Sequence, residues 1–120
     1  MKAYVTRDSV SAGDDVHAPH ARRFRIRAEF TVSDLVGQAL QASQLPRING
    51  GKATWGLSSN IPLAVAAQEW DGPELVSQFP LDPDLLDQSN GEIRMHWSYF
   101  AQFDPDLVLE VLRQLRLHAE

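Results

Sequence analysis

Residues 11–20 read SAGDDVHAPH, which places Asp14, Asp15, His17 and His20 within seven positions of a chain that has only four histidines. Carboxylates and imidazoles this close together suit two chemistries, metal ligation and proton transfer. Zinc takes three or four ligands converging at about 2.0–2.2 Å for nitrogen or oxygen. His17 and His20 would share one face of a helix, but Pro19 lies between them and removes a backbone donor that a helix needs. No second cluster with ligand spacing follows, and His96 and His118 stand alone. An acid–base pair of Asp15 with His17 or His20 would need a nucleophile, for which only Ser9 and Ser11 lie nearby in sequence. Neither a G-x-S-x-G elbow nor an S-x-x-K pair occurs in the chain. Asp14 follows Gly13 and suits turn chemistry, in which a short carboxylate side chain bonds the adjacent backbone. The expectation is an ordered polar loop with neither a metal nor a catalytic role.

Residues 49–52, NGGK, invite a phosphate-loop reading that fails on spacing. The pattern requires glycine six residues before the lysine and Ser or Thr after it. Here those positions hold Pro46 and Ala53. A Gly-Gly turn entering a strand is the reading that remains, and no cofactor is expected.

The elements that would position these residues follow from periodicity. Lys2 to Arg7 and Arg23 to Phe30 alternate as strands, the second with Phe24, Ile26, Ala28 and Phe30 inward and Arg23, Arg25, Arg27 and Glu29 in water. Ser9 to Ala21 is a loop. Thr31 caps a helix over Val32 to Ser43, with Asp34 in its first turn and Pro46 preventing continuation. Ala53–Ser58 and Leu63–Glu69 form a hairpin through Ser59–Pro62. A short helical turn fits Pro73–Gln78, Asn90-Gly91 is a turn, and Glu92–Phe100 is a strand. Asp104 and Pro105 start a last helix with Leu107, Val108, Val111, Leu112 and Leu115 as its apolar face. The fold class expected is α+β. It is a single domain over residues 1–120 with a mostly antiparallel sheet of about five strands and both helices packed on one face.

With 120 residues, 43% of them hydrophobic and 22% charged, the chain suits one globular core. It has no cysteine, which excludes disulfides, thiolate metal sites and a cysteine nucleophile. No leader peptide and no membrane span is visible, so a cytoplasmic location is expected. The charge is divided. Residues 1–60 hold eight Lys/Arg and five Asp/Glu, whereas residues 61–120 hold three and eleven. Glu69, Asp71, Glu74, Asp82, Asp84, Asp87 and Glu92 follow one another without an intervening Lys or Arg between Gln68 and Ile93. Such a one-sign segment steers basic partners. Direct nucleic-acid binding is not expected at a pI near 5.3, because pleat geometry puts the rings and guanidiniums of residues 24–27 on opposite faces. Trp55, Trp70, Trp97, Tyr99 and Phe100 are expected mostly in the core.

Three stretches, YVTRDSVSAGDDVHAPH, NGGKATWGLSSNIPLAVAAQEW and YFAQFDPDLVLEVL, together resemble small bacterial immunity proteins of polymorphic-toxin and contact-dependent-inhibition systems. The resemblance spans most of the chain. It implies a cytosolic, non-enzymatic inhibitor of one cognate toxin domain, often a basic nuclease. It transfers no functional residue, since the binding surfaces of such proteins vary. The sequence therefore points to a toxin-binding module, with Glu69, Trp70, Asp71, Glu74, Asp82, Asp84 and Asp87 as candidate partner-binding residues. The alternatives are a small hydrolase or metal-dependent enzyme built on the Asp14–His20 loop, and a structural or homodimeric domain.

Overall fold

The computed structural model describes residues 1–48, 50–76 and 82–119, with side chains through residue 115. Its strands are β1 (Lys2–Arg7), β2 (Arg22–Arg25), β3 (Thr54–Ser59), β4 (Ile61–Ala67), β5 (Glu74–Leu75), β6 (Gln88–Ser89) and β7 (Glu92–Tyr99), and its helices are α1 (Val32–Ser43) and α2 (Pro105–Ala119). The architecture is α+β. One sheet runs in the order β2-β1-β7-β3-β4-β5, and β6 adds to β7.

Helix α1 occupies the expected residues because its start is over-determined. The Thr31 side chain accepts from the Asp34 N–H at 3.1 Å, and Asp34 accepts from the Thr31 N–H at 3.1 Å, which forms a reciprocal capping box. Gln44, in the left-handed conformation, ends it before Pro46. At α2, Asp104 accepts from the Asp106 N–H at 3.0 Å and Pro105 takes the first helical position.

The sheet differs from the expectation in pairing and in size. It is mixed and not mostly antiparallel, because β1 and β7 pair in parallel from Lys2↔Glu92 to Arg7↔Trp97. Turn signals fix the direction of hairpin neighbours only, and β1 and β7 are far apart in the chain. Two two-residue strands, β5 and β6, join the five expected. The first of them replaces the helical turn expected at Pro73–Gln78, of which Ser77 and Gln78 lie outside the described residues. Strand β2 ends at Arg25 and not at Phe30, and Ala28 is exposed. Arg23, Arg25 and Arg27 are exposed, as expected, while Ile26 is buried and Phe24 packs half-buried on the core. Asn60, at φ 64°, turns β3 into β4, and a register slip between Leu57 and Ser58 bends the hairpin. Asn90 and Gly91 both have positive φ and close the β6–β7 hairpin as expected.

The helices lie on opposite faces of the sheet, not on one. Trp55 and Leu57 of β3 and Ala64 and Ala66 of β4 pack with Leu35, Val36 and Ala39 of α1. Val65, between those two alanines, packs with Leu109, Val108 and Leu112 of α2. Because strand side chains alternate, neighbours assigned to different helices place the helices on different sides. Periodicity within a helix cannot reveal this choice. Trp55 and Trp97 are core residues, whereas Trp70, Tyr99 and Phe100 are half-buried.

The face of α2 that packs is also not the expected one. Val108, Leu109 and Leu112 meet the sheet, while Leu107, Val111 and Leu115 are exposed. The helix carries two apolar arcs, and Val65, Val76 and Trp70 select the one centred on Leu109.

Candidate functional site

The Asp14–His20 loop is a single 3₁₀ turn at Asp14–His17, anchored from outside. Arg7 donates to both Asp14 oxygens at 2.7 and 3.0 Å, and the Val10 N–H donates to Asp14 at 3.0 Å. The Arg7 guanidinium holds the Asp14 carboxyl far below the usual carboxylate range. His20 is buried, with Nε2 2.9 Å from Ser9 Oγ and 3.7 Å from Asp14. Asp15 and His17 are exposed and join neither contact. Two of the four residues therefore come together, with an arginine in their midst. No three His, Asp or Glu among the described residues are grouped as a metal would require.

The acidic segment divides. Glu69, Asp71 and Glu74 gather with Asp106 of α2 around a shallow depression floored by Trp70 and Leu109. Asp82 is engaged locally and accepts from the Asp84 N–H at 2.9 Å as a cap. Asp84 is exposed, and Asp87 lies elsewhere, in a groove with Arg94. Phe79 and Pro80, which the sequence places beside these acids, fall outside the described residues.

Beside the first acidic group runs the outward arc of α2. Leu107 is 57% exposed, and Val111, Leu115 and the preceding Phe103 are exposed with it. Leu107, Val111 and Leu115, spaced by four, line up along one side of the helix, and Phe103 precedes its first turn. Asp106 and Glu110 follow on one flank. On the other side an apolar groove of about 220 Å³ is lined by Leu115, Leu112, Phe100, Ile61 and Pro62.

Sequence reasoning missed a second cluster. The sheet face opposite α1 is covered by α2 over β3 and β4, and it carries polar side chains along β2, β1 and β7. There Tyr4 lies under Arg23, whose guanidinium carbon is 4.5 Å from the ring centre, and Glu92 accepts from Arg23 at 3.2 Å. Thr6 Oγ1 is 2.6 Å from His96 Nδ1, and His96 Nε2 is 2.7 Å from Asp8 Oδ1. The Tyr99 N–H donates to the other Asp8 oxygen at 2.8 Å. Tyr4, Thr6 and Asp8 alternate along one stretch and Glu92 and His96 lie on another; the parallel register Thr6↔His96 assembles them.

No family model matches the chain, and no curated protein and no solved structure is significantly similar to it.

Proposed function

We propose that this chain is a protein-binding module that neutralises a basic partner, in the manner of the immunity proteins it resembles. The observation that carries the reading is the outward arc of α2, Leu107, Val111 and Leu115, with exposed Phe103 just before the helix and acids along one flank. Apolar residues at helical spacing are the anchors of helix-in-groove recognition. Such anchors supply most of the binding energy, while surrounding charge sets orientation and association rate. Asp106, Glu110, Glu69, Asp71 and Glu74 select a partner whose groove is rimmed by Lys and Arg. A second copy of the chain fits less well, because it would bring one acidic margin toward another. The partner class is a toxin domain with a cationic site, a nuclease foremost, whose substrate contacts the acids would occupy.

The test is affinity purification from the native host with the wild-type chain and with Leu107→Glu/Val111→Glu. The expected result is one basic protein, retained by the wild type only, whose activity falls to zero at one equivalent of inhibitor. Equal retention by both proteins, or a partner whose activity is untouched, contradicts the proposal.

A further inference from the structure

Thr6, His96 and Asp8 form a continuous relay on a face of the sheet that the binding reading does not use. Asp8 accepts from His96 Nε2–H, which leaves Nδ1 as the unprotonated nitrogen, facing the Thr6 hydroxyl at 2.6 Å. Among the described residues, the hydroxyl also lies 3.5 Å from the Met95 carbonyl, a longer contact than the one to Nδ1. The Asp8 carboxylate is itself fixed through the Tyr99 N–H. A hydroxyl within reach of an imidazole that a carboxylate orients is the arrangement that activates an oxygen nucleophile.

The relay opens onto space. Thr6 and His96 line a groove of about 280 Å³ together with Tyr4, Ser58, Asn60, Asp87 and Arg94. Ser58, Asn60 and Arg94 supply hydrogen-bond donors at the border of the same space.

From this geometry we infer that the groove is an acyl-transfer site for small polar carboxylic esters, with Thr6 as nucleophile, His96 as base and Asp8 as the positioning residue. Thr6 Oγ bonds to the ester carbonyl carbon while its proton passes to His96 Nδ1. The ester C–O bond then breaks, and the alkoxide takes that proton and leaves as the alcohol. Water, deprotonated by Nδ1, attacks the acyl-threonine and releases the carboxylic acid, and the proton returns to Thr6. Asp8 stabilises the imidazolium in both halves. The site uses none of the α2 residues, so it stands or falls separately from partner binding.

The experiment uses p-nitrophenyl acetate as probe on the full chain. Expected are a burst of nitrophenolate and an acetyl group on Thr6, located by peptide mass spectrometry. Thr6→Ser should retain labelling, because it keeps the hydroxyl. Thr6→Val and His96→Gln should each slow the burst by about a hundred-fold or more, with circular dichroism confirming the fold. Asp8→Asn should still acetylate Thr6, with a lower limiting rate and an unchanged half-saturating probe concentration. An acetyl group found only on lysines or the N-terminus, or a burst of equal rate in Thr6→Val, overturns the inference.

Discussion

Leu107 and Leu109 stand two residues apart on α2 and face opposite ways: Leu109 is 8% exposed against Val65, and Leu107 is 57% exposed. One residue holds the helix to the sheet, and the other is available to a partner. Truncating a buried leucine costs about 2–5 kcal/mol, whereas surface changes stay within about 0.5 kcal/mol. Leu109→Ala should therefore lower the urea midpoint strongly and Leu107→Ala should leave it in place. Equal losses would mean that both arcs of the helix are packed.

Gly56, with no side chain, lets the Phe100 ring lie close against the sheet. A Cβ at Gly56 would stand 2.7 Å from Phe100 Cε2, closer than such atoms approach. Overpacking of this kind costs about 1–3 kcal/mol. Gly56→Ala should be destabilising by that amount, and Phe100→Leu should relieve much of the loss in the double variant. Additive effects in a double-mutant cycle by urea denaturation would show that the ring is not what the methyl meets.

The Asp14–Arg7 pair sets a pH dependence whose sign follows from the shift. The folded carboxyl titrates below its ordinary value of 3.8, because Arg7 favours the ionised form. Its contribution to stability is complete above the unfolded value and is lost as pH falls through the folded one. Urea midpoints measured from pH 6 downward should fall in the acid range, and Asp14→Asn should flatten part of that fall. Superimposable profiles for the two proteins would contradict the assignment.

The capping box offers a smaller effect. Thr31→Ala removes the acceptor for the Asp34 N–H and should cost about 1 kcal/mol. Thr31→Ser keeps the oxygen and should cost much less. Thermal melts distinguish the two.

What was legible in the sequence were features written in a few adjacent residues. Thr31 with Asp34, Asp104 with Pro105, and Asn90-Gly91 each carry their own local chemistry, and each appears where expected. The parallel register of β1 on β7 is carried by no local signal. The Thr6–His96–Asp8 relay, which depends on that register, was therefore invisible. The SAGDDVHAPH segment was legible in part: Asp14 suited a polar loop, but the group that organises it is Arg7, outside the segment. For α2, hydropathy marked the helix as amphipathic, but two apolar arcs compete, and only the sheet beneath decides between them.

On the proposed reading, α2 and its acidic flank bind a basic partner. Surface-plasmon association kinetics against the partner recovered from the native host, at two salt concentrations, decide whether they do. Glu69→Lys/Asp71→Lys/Glu74→Lys should slow association at least about ten-fold at low salt. The difference should shrink at high salt, because exposed charges are screened beyond about 8–10 Å near physiological ionic strength. Leu107→Glu/Val111→Glu should abolish binding at both. An association rate that neither variant changes, and that salt does not alter, would contradict the account.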